Sequence, residues 1–247
     1  LSGTAEYVSD IAFQDKDLDF DDVGGTVTWS EPGDTTLVTH YFTFLAWDEP
    51  GGGRSQVGLE LPAGTTVTYI EPDTTLGNLV YIVIYTKSLL HELTTPSWFK
   101  LSDTVSSVSS IAFTDRDLDE GELGGTVTWD EPAETFHVTF YAVYLSEDDI
   151  GVTKSQLATD VIVGTEHIDM RTNLAVSTSV YFVVYTRSSL VEQTTPIPFT
   201  FSDTLAVVSQ ISFTDRDLDE FDLGGTFYWN ASVETTQVTA YVAYLSP

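Results

Sequence analysis

Ile111-Ala-Phe-Thr-Asp-Arg-Asp-Leu-Asp119, followed closely by Gly124-Gly-Thr-Val-Thr-Trp129, is the middle copy of a phrase that this 247-residue chain carries three times. The first copy spans Ile11 to Asp19 and Gly24 to Trp29, and the third spans Ile211 to Asp219 and Gly224 to Trp229. The offset is 100 residues each time (111 − 11 and 211 − 111). A fixed period of this length sets the unit of folding before any residue's own propensity is consulted. About 100 residues suffice for one ordinary hydrophobic core. The period divides the chain into units 1–103 and 104–203, with a partial third, 204–247, expected to hold only its first three strands. It is also a filter, since a residue that serves every unit recurs at its own number plus 100.

The second unit reads as a series of short strands. Val108 to Phe113 alternates and is rich in β-formers, and Gly125 to Trp129 alternates until Asp130-Glu131-Pro132 stops it. His137 to Leu145 is a long β-branched and aromatic run, and further strands are expected at Ser155 to Val163, Glu166 to Met170, Val180 to Thr186 and Ile197 to Phe201. No stretch shows a convincing helical period. Short strands at this spacing predict an all-β fold, two sheets packed face to face around a core about 10 Å thick.

Certain aromatic positions recur with the period. A Trp closes the second strand (Trp29, Trp129, Trp229), and a Tyr sits in the third (Tyr41, Tyr141, Tyr241). A Tyr opens the sixth strand (Tyr81, Tyr181), and a Pro precedes the seventh (Pro96, Pro196). In order and approximate spacing this series resembles the fibronectin type III domain across both complete units. The resemblance implies tandem β-sandwiches of structural or adhesive use. That family's Leu before the sixth-strand Tyr is not matched consistently, with Leu76 and Leu79 set against Leu174 and Val176, so a related immunoglobulin-like sandwich stays open. The linkers, Leu101-Ser-Asp-Thr104 and Phe201-Ser-Asp-Thr204, are neither Gly- nor Pro-rich. Successive units are therefore expected to abut.

Composition excludes several classes of function. Lys and Arg number 9 against 38 Asp and Glu, a formal charge of −29, which repels nucleic acid and anionic membrane surfaces. There are no cysteines, hence no disulfide and no thiolate metal site. No apolar run approaches the roughly 18 residues of a membrane-crossing helix. Leu1 is not an initiator methionine, so the chain is expected to be a segment of something longer.

The acidic stretch survives the filter. Asp15, Asp17 and Asp19 recur as Asp115, Asp117 and Asp119 and again as Asp215, Asp217 and Asp219, with further carboxylates just beyond. Close carboxylates repel by about 1 kcal/mol per pair even in water. An oxygen-only donor set points to Ca²⁺ as the compensating cation, and these nine aspartates are the candidate ligands. Residues four apart on a flat strand lie about 13 Å from one another, so the chain must curl or the carboxylates must serve different ions. The stretch is not an EF-hand loop, because Glu120 stands where that loop needs Gly and Thr126 where it needs Glu. Asp103 and Asp203 in the linkers, or Glu92 and Glu192 before the seventh strand, are candidate contributors from a neighbouring unit. The plainer alternatives are a solvated acidic loop whose aspartates cap turns, or a surface for a basic partner. Leu18, Leu118 and Leu218 are expected to anchor the loop in the core, and Gly24-Gly25 with its copies to permit a bulge.

Enzyme chemistry finds no support. His40, His91, His137 and His167 each lack a His counterpart, and no Ser-His-Asp set or phosphate-binding glycine loop is present. Asn230-Ala-Ser232 is a lone glycosylation sequon. The expected function is a structural or adhesive array at the cell surface or outside the cell, rigidified by calcium, with further copies of the repeat as partners. One alternative is a glycan- or protein-recognition module using Trp47 and Trp98. The other is a filament subunit whose half unit is completed by a neighbouring chain.

Overall fold

The computed structural model describes residues 6–246; residues 1–5 and 247, at the outer edges of the first and third units, lie outside it. The first sandwich is formed by β1 (Ser9–Phe13), β2 (Asp22–Ser30), β3 (His40–Ala46), β4 (Ser55–Pro62), β5 (Val67–Thr75), β6 (Tyr81–Lys87) and β7 (Ser97–Lys100). One sheet runs β1-β2-β5 and the other β4-β3-β6-β7, and neighbouring strands are antiparallel. In the second sandwich come β8 (Ser109–Phe113), β9 (Glu122–Asp130), β10 (Val138–Ser146), β11 (Lys154–Gln156), β12 (Val161–Ile162), β13 (His167–Ala175), β14 (Tyr181–Ser188) and β15 (Ile197–Thr200). Its sheets are β13-β9-β8 and β11-β10-β14-β15, with β12 also pairing β10.

Alternation along the strands builds each core. Val27 and Trp29 point inward from β2, and Val127 and Trp129 from β9, with exposed residues between them. The inward Trp meets the buried third-strand Tyr edge-on, Trp29 with Tyr41 at 5.7 Å and Trp129 with Tyr141 at 5.6 Å. Ile82 and Ile84, or Phe182 and Val184, close the core from the opposite sheet. Each such side chain contributes about 1.5–3 kcal/mol by leaving water. The phenol of Tyr41 donates to Glu31 and that of Tyr141 to Glu131, both at 2.9 Å. Tyr81 and Tyr181, by contrast, pack on the outer face of the second sheet. There Arg54 lies over Phe44 and Tyr85, and Lys154 over Tyr144 and Tyr185.

Two expectations are corrected. The single strand expected from Ser155 to Val163 is split into β11 and β12, whereas β4 is continuous. In β4, Gly58 takes φ +68° where the pairing with β3 slips. The second unit has Ala158 there, and a side chain disfavours that left-handed conformation, so the ladder breaks. Among the described residues, the third unit shows only β16 (Ser209–Asp215) and β17 (Gly225–Asn230), paired with each other. The third strand expected around Tyr241 does not form. In the complete units that strand is held on both edges, β3 by β4 and β6 and β10 by β11 and β14.

Candidate functional site at the junction between repeats

Past β1 the chain curls, and aspartates make the curl. Asp15 Oδ1 accepts the amides of Asp17 (3.1 Å) and Gly24 (3.0 Å), and its Oδ2 accepts the amide of Thr104 in the linker (2.9 Å). Asp17 Oδ1 accepts the amide of Asp19 (3.1 Å), and its Oδ2 that of Asp73 on β5 (2.7 Å). Consecutive Asx turns thus roll up the Asp-x-Asp-x-Asp run that would span about 13 Å if extended. Asp73 sits at φ +59° and its counterpart Asn173 at φ +61°, a conformation short polar side chains tolerate.

The second copy repeats these bonds. Asp115 takes the amides of Asp117, Gly124 and Thr204, while Asp117 takes those of Asp119 and Asn173. In the third, Asp215 takes the amides of Asp217 and Gly224, and Asp217 that of Asp219. Gly25 and Gly125, at φ +148° and +146°, mark the bulges expected of the Gly-Gly pair.

The loop's far side enters the next repeat. Leu18 is fully buried, but in the core of the second sandwich with Val108 and Val138, so it anchors its neighbour and not its own unit. Its carbonyl accepts the amide of Ser106 (3.2 Å) and the side-chain amide of Gln193 (2.7 Å). Asp19 Oδ2 accepts the amide of Thr194 (2.7 Å), and Oδ1 accepts that of Thr195 (3.0 Å). At the next junction the Leu118 carbonyl takes the amide of Ala206, and Leu118 is half-buried. Leu218 is 98% exposed. A leucine in this loop is buried by the following sandwich, not by its own.

The linker aspartates reach the loop through its backbone: Asp103 Oδ2 accepts the amide of Asp21 (2.9 Å), and Asp203 Oδ2 accepts that of Gly121 (2.8 Å), but among the described residues neither joins the carboxylate groups described below. Glu92 and Glu192 do not take part. They pair instead with Arg54 (2.8 Å) and Lys154 (2.9 Å), the cations over each unit's aromatic face.

Burial of this much negative charge is costly. Desolvation pushes the Asp15 carboxyl up to about 6, against the lowering effect of its three amide bonds and with the charge of Asp103 adding to the rise. Burial and the charges of Asp21, Asp17 and Asp22 raise Asp103, although the amide of Asp21 opposes them. Burial and the charges of Asp17, Asp19 and Asp22 raise Asp73. Asp103 Oδ1 is buried with no hydrogen-bond partner.

Within the first loop, Asp17, Asp19 and Asp73 each bring a carboxylate oxygen within 4.8 Å of the other two; in the second, Asp117, Asp119 and Glu122 do so. Asp15 and Asp115 stand outside these groups, their oxygens engaged by backbone amides. Asp215, Asp217 and Asp219 are exposed and, among the described residues, join no such group. Asp73 was not legible in sequence: it lies on a distant strand, and Asn173 at its counterpart position removes it from the repeat filter.

Strand order and core define a tandem array of fibronectin type III-like β-sandwiches, with acidic loops at the junctions. Among solved structures the chain is similar to the central fibronectin-III array of RIM-binding protein, at 14% identity over 88% of this chain and 70% of that one, with a TM-score of 0.26. It is likewise similar to the FN1–FN3 domains of chicken CNTN1, at 14% identity over 85% of this chain and 71% of that one, with a TM-score of 0.27. No protein family and no curated protein matches the chain.

Proposed function

We propose that the chain is a structural or adhesive spacer, without catalytic function, whose repeats are held at fixed angles by acidic junction loops that bind Ca²⁺. The observation that carries this reading is the convergence of Asp17, Asp19 and Asp73 oxygens within 4.8 Å, in a loop that also grips the linker and the next sandwich. Only oxygen donors are present, of the kind and number that calcium accepts, and carbonyls or water complete its usual six to eight ligands. The raised carboxyls of Asp15, Asp73 and Asp103 support it, since an uncompensated cluster resists full ionisation and a divalent cation relieves that. In the second loop Asp117, Asp119 and Glu122 take the same role. A surface or extracellular setting belongs to the same reading, because millimolar calcium is found there.

With dissociation constants of about 10⁻⁴–10⁻³ M for such modules, millimolar calcium adds only roughly 0.4–1.4 kcal/mol per site. The ion then acts on junction rigidity more than on folding. Isothermal calorimetry with calcium on the whole chain, and on Asp17→Asn, tests this. Heat of binding that diminishes in the variant, with a calcium-dependent rise in melting temperature, is the expected result. Absence of heat and of any melting shift in the unsubstituted chain overturns the calcium reading.

A further inference from the structure

A groove of about 320 Å³ opens on the outer face of the β1-β2-β5 sheet, beside the first junction. Thr26 and Thr28, exposed on either side of buried Val27, lie along it, with Ala12 paired to Thr28 and Tyr69 to Thr26. Gln14 and Lys16, where the chain leaves β1, also line it. Ser189 and Leu190 of the second repeat close one side, Leu190 near enough that a Cβ added to Gly24 would lie 3.0 Å from its Cδ2.

The groove recurs with the period, as the histidines do not. On the second repeat it holds about 210 Å³ and is lined by Ala112, Thr114, Arg116, Thr126 and Thr128, at the matching positions. The third copy of the sequence keeps a threonine at 214 and 226 and an arginine at 216.

Its cation stands apart from the others. Arg54, Lys87, Lys154 and Arg187 each pair with a carboxylate. Lys16 and Arg116 pair with none among the described residues, although aspartates flank each on both sides. The curl is the reason: Asp15 and Asp17 turn their oxygens to backbone amides, which leaves half-buried Lys16 to line the groove. An unpaired base among 38 acids and 9 bases marks a place for an anion. The chain's net charge acts weakly there, because charges more than about 8 Å away are largely screened at physiological ionic strength. The groups around the cation then decide which anion. Hydroxyls from Thr26, Thr28 and Ser189, the side-chain amide of Gln14 and the exposed ring of Tyr69 suit a ring carrying several hydroxyl groups better than a lone peptide carboxylate.

We propose that the groove of the first repeat binds an acidic sugar, a pyranose whose carboxylate pairs with the Lys16 ammonium and whose hydroxyls meet Thr26, Thr28 and Gln14 beside the Tyr69 ring. The second repeat is the poorer site. There Asp169 replaces Tyr69 and accepts the Thr126 hydroxyl at 2.7 Å, which sets a carboxylate against an incoming anion. Asp17, Asp19 and Asp73 do not line the groove, so this binding does not rest on calcium.

Residue-resolved NMR of the whole chain in EDTA, titrated with methyl glucuronide and with methyl glucoside as its neutral counterpart, tests this. The glucuronide should shift the amides of Thr26, Thr28 and Tyr69, with a millimolar dissociation constant at least ~10-fold below that of the glucoside. Lys16→Gln should abolish that difference. Thr28→Val, which keeps a β-branched residue on an exposed strand position, should weaken both sugars alike, and Tyr69→Asp, the second repeat's residue, should remove glucuronide binding. Unchanged signals from Val127 and Trp129 in each variant show that the sandwiches still stand. Absence of shifts at tens of millimolar glucuronide overturns the proposal, as does equal binding of the glucoside or binding that Lys16→Gln leaves unchanged. A tetraglutamate peptide that shifts the same amides where the glucuronide does not would overturn it too, and give the groove to an acidic peptide.

Discussion

The side-chain amide of Gln193 donates to the carbonyl of Leu18 at 2.7 Å, while its own Oε1 accepts the amide of Thr186 at 3.1 Å. One buried side chain thus ties the first repeat's loop to the strand that carries the second repeat's core. Gln193→Leu, which installs the first repeat's residue at this position, leaves both backbone groups without that partner. An unsatisfied buried polar group costs about 1–3 kcal/mol. Urea unfolding of the variant should show that loss, and amide exchange at Thr186 should quicken.

Leu18→Ala should destabilise the second sandwich more than the first, although the residue lies in the first. Removing a fully buried leucine costs about 2–5 kcal/mol, depending on how far the surroundings relax. Hydrogen exchange resolved by residue should show the loss around Val108 and Val138, which share its core. Leu218→Ala, at a side chain 98% exposed, should change stability by less than about 0.5 kcal/mol. Equal losses in both sandwiches for Leu18→Ala would contradict this placement.

Most of the sandwich was legible because its signals are local. Alternation around Val127 and Trp129, the stop at Pro132 and the Tyr of the third strand each follow from a period of two and a plain turn. The curl was legible as a geometric necessity, since carboxylates spaced along a flat strand cannot converge. Its destination was not legible. Leu18 looks the same in sequence whether it packs into its own sheet or the next, and only the short linker hinted at the latter. Asp73 was hidden because a strand far along the chain brings it to the loop. The break at Ala158 turned on one missing glycine, a difference that propensity alone weights too lightly.

The bulge glycine should be hard to replace. Gly125 sits at φ +146°, and an added Cβ would meet the Thr114 carbonyl oxygen at 2.7 Å. Gly125→Ala is expected to cost about 1–3 kcal/mol, from backbone strain with the contact added. Gly121 is the control: it lies at φ +78° with open space around it, and the equivalent residues Asp21 and Phe221 adopt φ 68° and 72°. Gly121→Asp should stay within about 1 kcal/mol of the parent. Thermal melts of the two variants check the contrast.

His137 gives the first junction a pH dependence. Its ring packs edge-on against Phe136 at 4.8 Å. Burial, and then the charge of Lys16 reaching over from the first repeat, hold its pKa below the ordinary 6.5. Protonation is therefore easier in the unfolded chain than in the folded one. The unfolded state binds the extra proton first as pH falls, so the contribution to stability is full above pH 6.5 and is lost as pH drops through the folded value. His137→Leu, the residue the first repeat carries as Leu37, removes the titrating group. Between pH 7.5 and 5 the parent should lose melting temperature relative to this variant, and the gap should narrow in Lys16→Gln. Imidazole shifts followed by NMR should place the folded pKa below 6.5, and move it upward when Lys16 is neutralised. Titration at or above 6.5 in the parent would remove the charge of Lys16 from the account of this junction.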